Sequence, residues 1–271
     1  MEVISLDRRG KVWSAAHKAW VENVVFDVEK DSPEQILKKV IAEFKRRRKK
    51  SRRGKLTGWW ASPECRTFSK MDAINGKWGQ FRNWLKTTPW RPPLKPGSTV
   101  KGKLAWQADE SMRRTLAVLE YIWSVKVKHQ KMTEVEKEAE AQRLGCFLDL
   151  SELELAVENP QGTLEVQKYM KEWELRGCGG GRRVRRNDVD YCAYGHPYMK
   201  PTRIWSTGRH WTPKRCNQSC AGGKWFTGGK RRSWRHTYKL GQRSQQMVAG
   251  KGRVALAASV PRELLRTVLK A

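Results

Sequence analysis

Four short apolar segments constrain this chain more than any other feature: "EVISL" (2–6), "NVVFDV" (23–28), "LTGWWAS" (56–62) and "LELAVENP" (153–160). Each has the length of a buried strand and stops on polar or turn-forming residues. The stretches between them carry helical signals. Ser32 precedes Pro33, with Gln35 placed to close a capping box. Ile36, Leu37, Val40, Ile41 and Phe44 then recur at helical spacing. "ADESMRRTLAVLEYIW" (108–123) puts Met112, Leu116, Leu119 and Trp123 on one stripe, and the charged stretch at 126–143 extends that helix or forms another. A further helix is expected near 163–175. "DVDYCAYG" (188–195) and "TRIWSTG" (202–208) read as two strands joined by a short connection, an antiparallel pair, and "VPRELLRTVLKA" reads as an amphipathic helix started by Pro261.

Strands alternating with helices and finishing in a hairpin imply an α/β fold with a mostly parallel sheet and an antiparallel C-terminal hairpin. In such sheets ligands gather beyond the carboxyl ends of the strands. Asp7, Asp27, Cys65 and Glu158 each fall at such an end, which marks the edge as a candidate site.

Charge narrows the partners. The 271 residues include 56 Lys and Arg against 27 Asp and Glu, a formal charge of +29. A surface this basic suits a polyanion, and nucleic acid is the default. Some of the 14 Trp among these cations would stack on unpaired bases, although a tryptophan is more often core. In "KRRRKKSRRGK" (45–55) only Ser51 and Gly54 are not basic. This run reads as a loop, either a solvated surface or a phosphate-binding segment with Arg47, Arg48, Lys49 and Arg52 as contacts. Residues 74–106, rich in Pro, Gly, Trp and Lys, show no period and read as an insertion.

No run of about 18 apolar residues is present, so no membrane span is expected. The first residues lack the layout of a signal peptide, which implies an intracellular protein, nuclear in a eukaryote and otherwise cytoplasmic. Six cysteines (65, 146, 178, 192, 216, 220) in such a chain are core residues, a nucleophile or metal ligands rather than a disulfide framework. Cys65 is either a small core residue or a reactive thiol. Glu158 either caps the following helix or serves a site. Cys216 and Cys220, with Cys192, His236 and also His210 available, could ligate zinc, although the spacing is loose and matches no standard pattern.

"SPECRTFS", "ENPQG" and "YMKPTRIW", in that order, resemble three signature motifs of the cytosine-5 DNA methyltransferases. The likeness is to a compact branch of phages and algal viruses that carries "SPPC", "ENP" and "VDYC…RTRIW", and it spans roughly 2–8, 23–28, 57–70, 109–124, 153–170 and 188–207. It implies a Rossmann-like methyltransferase sheet whose first strand, with its glycine turn, is missing from this chain. A separate polypeptide supplying that strand is one expectation. The resemblance implies S-adenosylmethionine as cofactor, with Asp7, Asp27, Ser62 and Pro63 as contacts, and DNA as substrate. Cys65 would be the nucleophile at cytosine C6, Glu158 its partner on the exocyclic amine and N3, and Arg203 the cation at the base carbonyl. Asn159, Phe68 and Ser69 would join the substrate contacts.

Two positions depart from the family motifs. Glu64 replaces the proline beside the nucleophile and should raise the thiol pKa. Pro201 replaces one of two arginines. The implied organisation is a methyltransferase-like domain over 1–208, a small basic Trp/Gly-rich target-contacting module over 209–252, and a C-terminal helix in 253–271 that packs back on the domain. The alternatives are a catalytically inactive nucleic-acid binder of the same fold and an RNA cytosine methyltransferase.

Overall fold

A computed structural model describes residues 6–7, 11–14, 19–22, 24–25, 30–47, 53–55, 58–63, 67–68, 100–144, 147–178, 183–196, 199–208, 211–220, 223–228, 231–236 and 260–269. Asp27, Arg48, Lys49, Arg52, Cys65 and Ser69 lie outside these residues, as do 74–99 of the expected insertion.

The centre is a four-stranded sheet built from β6 (Gly58–Ala61), β8 (Glu154–Pro160), β9 (Arg185–Asp190) and β10 (Pro201–Ser206), in the order β6-β8-β10-β9. β6 and β8 are parallel, with Ala61 opposite Val157. β10 runs antiparallel to both its neighbours, with Ile204 opposite Glu158 and Arg203 opposite Asp188. The fold is therefore mixed α/β, and the sheet is mixed rather than mostly parallel, because β10 sits between two strands that share one direction. Four two-stranded pairs accompany it among the described residues. These are β1 (Leu6–Asp7) parallel to β4 (Val24–Val25), β2 (Lys11–Ser14) antiparallel to β3 (Ala19–Glu22), β5 (Arg53–Lys55) parallel to β7 (Phe147–Asp149), and β11 (Gly223–Gly228) antiparallel to β12 (Arg231–His236).

Helices cover both faces of the sheet. On one lie α1 (Pro33–Arg47), α2 (Val100–Lys131) and α4 (Lys168–Arg176), and α3 (Glu134–Leu144) follows α2. Ile36, Val40, Met112, Leu119, Ile122 and Trp173 pack there with Trp59, Leu155, Val157 and Trp205 of the strands. On the other face α5 (Arg262–Leu269) places Leu264, Val268 and Leu269 against Ala156, Val189, Tyr191 and Ile204. Buried-strand alternation thus feeds two cores, with Leu155 and Val157 to one side and Ala156 to the other.

The helix boundaries follow from their caps. Ser32 N–H donates to Gln35 Oε1 at 2.7 Å and Gln35 N–H to Ser32 Oγ at 3.3 Å, the reciprocal capping box that the sequence announced. Thr133 and Glu136 repeat the arrangement and separate α3 from α2. α2 begins at Val100, earlier than its bulky stripe suggests. Its first turns bury Ala105 and Ala108 while Leu104 and Trp106 stay partly exposed, so large residues point away from the core there. The basic run is not all loop, since α1 continues to Arg47 and Arg53–Lys55 form β5. β9 ends at Asp190, and Tyr191–Tyr194 form a 3₁₀ turn instead of the expected strand. The helix expected near 163–175 divides into a 3₁₀ turn at Leu164–Val166 and α4. No helix among the described residues is long and apolar enough to cross a membrane.

Gly58 shows how tightly α5 closes on the sheet. A Cβ at this position would lie 2.6 Å from Leu269 Cδ1 and 2.8 Å from Leu269 Cβ. Gly58→Ala should destabilise the protein by about 1–3 kcal/mol in urea unfolding. Adding Leu269→Ala should recover part of that loss, and full additivity of the two losses would contradict this packing.

Candidate strand-end site and metal centre

The carboxyl ends of β6 and β8 form one edge. Beyond β6 come Ser62 and Pro63; Ser62 Oγ accepts from Trp60 Nε1 at 2.9 Å. The chain returns at Phe68, fully buried, whose carbonyl accepts from Thr163 N–H at 2.7 Å and Thr163 Oγ1 at 3.3 Å. Thr163 is itself held just past the end of β8, where its carbonyl accepts from Gln167 Nε2 at 2.8 Å. Both described flanks of Cys65, Pro63 and Phe68, are thus attached to this edge, although Cys65 lies outside the described residues.

Glu158 is buried on β8, and Lys200 Nζ donates to its Oε1 at 3.0 Å. The two side chains are only 4% and 12% exposed, so water screens the pair weakly. The same ammonium lies 4.6 Å from the centre of the Tyr191 ring. This supplies a second favourable environment for the cation. Lys200 is the functional candidate that sequence reasoning missed. The available signal was parity. Ile204 opposes Glu158, so the even-numbered residues of β10 and of its approach share the Glu158 face.

Arg203 has the other parity. It lies opposite Asn159 and Asp188 and does not join Glu158. Its Nε and Nη2 donate to Asp188 Oδ1 and Oδ2 at 2.6 and 2.8 Å, and its Nη1 pairs with Glu165. Burial, with Arg215 nearby, pushes its guanidinium pKa down. Asn159 is fully buried beside it, and neither of its amide atoms has a hydrogen-bond partner among the described residues. An unmet buried amide is costly. It is therefore a group that a ligand could satisfy. Asp7 ends β1, which pairs with β4 in a two-stranded sheet, whereas Ser62 and Pro63 follow β6 of the central sheet. Arg47 closes α1.

A second cluster forms where β9 ends. Cys192 in the 3₁₀ turn, Cys216 and Cys220 in the 211–220 loop, and His236 at the end of β12 bring their ligand atoms within 4.8 Å of one another. Cys216 Sγ lies 3.8 Å from Cys220 Sγ, and the two sulfurs lie 3.3 and 3.2 Å from His236 Nε2. Asp190 fixes the loop. Its Oδ2 accepts from Cys216 N–H at 2.8 Å and from Arg215 Nε at 2.9 Å. Lys214 N–H donates to Tyr194 Oη at 2.8 Å. Burial pushes the Cys192 thiol pKa up, and Cys216 and Cys220 add to the shift. Burial also holds the His236 imidazole pKa below its usual range, against the pull of Asp190.

The Glu158–Lys200 pair makes a direct prediction. Lys200→Met leaves a buried carboxylate without its cation and should cost about 3 kcal/mol in chemical denaturation. Combining it with Glu158→Gln should cost clearly less than the two single losses together. Simple additivity would mean that the pair does not form.

Comparisons with protein-family models, with curated proteins and with solved structures find no match, so the chemistry of this edge rests on its own geometry.

Proposed function

We propose that this chain is a cytosine-5 methyltransferase-like protein of Rossmann-like fold that acts on DNA through a covalent adduct of Cys65. The observation that carries the reading is the junction of the "SPEC" and "ENP" segments. Their strands are parallel neighbours, and the carbonyl of Phe68 is bonded to Thr163 beyond the second strand. The antiparallel β9–β10 pair, whose second strand carries most of the third resembling segment, adjoins them. The +29 charge supports a polyanionic substrate.

The chemistry needs three groups. The Cys65 thiolate adds to C6 of an extruded cytosine, forming the S–C6 bond and moving the C5–C6 π pair to C5. Glu158 keeps one carboxylate oxygen on Lys200 and offers the other to the exocyclic amine. Lys200 takes the place that the sequence assigned to Arg203 and donates to the base carbonyl, where negative charge grows during addition. A proton then adds at C5 from solvent, and loss of a C5 proton with expulsion of the thiolate restores the ring.

S-adenosylmethionine is the methyl donor that the resemblance implies. The described residues do not by themselves form its cradle. Asp7 ends a strand of a two-stranded sheet, whereas Ser62 follows a strand of the central sheet. No step of the scheme above passes through the cofactor.

The closed Glu158–Lys200 pair favours a second reading, a nucleic-acid binder in which the carboxylate is neutralised internally and no base chemistry occurs. One measurement separates the two and requires no cofactor. Reversible addition at C6 exchanges the C5 hydrogen, so an oligonucleotide with 5-deuterated cytosine should lose its label to solvent. Cys65→Ala should abolish the exchange, and Glu158→Gln should slow it by roughly 10²-fold or more. Exchange on RNA alone would overturn the DNA assignment. No exchange on either polymer, or undiminished exchange in Cys65→Ala, would leave the binder.

A further inference from the structure

We propose that Cys192, Cys216, Cys220 and His236 hold a structural zinc ion that anchors the basic β11–β12 ribbon to the end of the central sheet.

Donor set and geometry agree. A tetrahedral ion with Zn–S near about 2.3 Å and Zn–N near about 2.0 Å separates its sulfurs by about 3.8 Å and sulfur from nitrogen by about 3.5 Å. The Cys216–Cys220 sulfurs are 3.8 Å apart, and both lie 3.2–3.3 Å from His236 Nε2. A sulfur separation of 3.8 Å is far too long for a disulfide. Soft thiolates with one imidazole select zinc over magnesium or calcium. Four protein ligands leave no open position, which makes the site structural rather than catalytic.

Asp190 and Tyr194 tie the 211–220 loop to the end of β9, and at the cluster the ribbon meets both. Cys192 belongs to the turn that closes β9, packed beside buried Tyr191 and Tyr194. Cys216 and Cys220 lie in a stretch with no regular structure, positioned by Asp190. His236 ends a two-stranded ribbon, opposite Gly223. Among the described residues the ribbon has two strands, and a two-stranded ribbon by itself is marginal in water. One ion bonded to all three segments would set the ribbon's position. Binding forms three Zn–S bonds and one Zn–N bond and releases three thiol protons to solvent. The ribbon presents Lys224 and the half-exposed Trp225, the side-chain types that meet a nucleic-acid backbone and its bases.

The test uses the full chain produced in zinc-supplemented medium and dialysed against metal-free buffer. Elemental analysis should find about one zinc per chain. Replacement by Co²⁺ should give the intense visible absorption of a tetrahedral, thiolate-bound ion. Cys216→Ala and His236→Ala should each lower zinc affinity by more than about tenfold. His236→Cys, which preserves four ligands, and Cys178→Ala, remote from the cluster, should keep the ion. The Co²⁺ spectrum of the unmutated chain decides the matter even if a variant fails to fold. Wild-type protein without bound metal, a weak octahedral Co²⁺ spectrum, or a Cys216–Cys220 disulfide in unreduced peptides would overturn the assignment. None of these readouts involves Cys65 or Glu158, so the metal site and the proposed base chemistry can fail separately.

Discussion

Insertion of β10 between β8 and β9, against their common direction, is the constraint on which the rest of the structure depends. Antiparallel pairing fixes register to the residue, and a slip of one would exchange the two faces of the strand. With Ile204 opposite Glu158, the approach to β10 delivers Lys200 to the buried carboxylate, while Arg203 turns to Asp188 and Glu165. The same register brings the end of β9 to the start of β10, Asp190 opposite Pro201, and so places Cys192 beside the loop that follows β10. One ladder therefore organises both the carboxyl edge and the thiol cluster.

The scarcity of acidic groups gives this wiring its character. Asp188, Glu165, Glu158 and Asp190 are committed to Arg203, Lys200 and Arg215 around the sheet, and Glu154 and Glu174 accept from Thr207 and Trp205. With 56 basic residues against 27 acidic ones, the chain keeps a large positive excess, the charge balance on which the proposed polyanionic substrate rests.

Much of this arrangement was legible in the residues. Ser32, Pro33 and Gln35 marked the start of α1 by capping chemistry alone, and Pro261 marked α5. The segments at 56–62 and 153–160 each contain a strand of the central sheet, and 202–208 overlaps a third, which begins at Pro201. The misreadings share a cause: local signals do not report tertiary partners. β9 was displaced because Arg185, Arg186 and Asn187 are polar and lie on an edge strand, where burial imposes no pattern. The first turns of α2 were hidden because alanines, not large side chains, face the core. Lys200 was overlooked because a motif records identity but not which face a residue occupies. The four metal-ligand candidates could be named from composition, yet their loose spacing gave no sign that a ribbon would return His236 to Cys216 and Cys220.

The central claim is that the thiol at position 65 and the carboxyl at position 158 open onto one hollow at the sheet's carboxyl edge. Thiol cross-linking tests it most directly. In a Glu158→Cys variant, mild oxidation or a short bifunctional thiol reagent should join residues 65 and 158, identified as a linked peptide pair by mass spectrometry. Efficient single modification of both cysteines with no 65–158 linkage would place them apart and contradict the account.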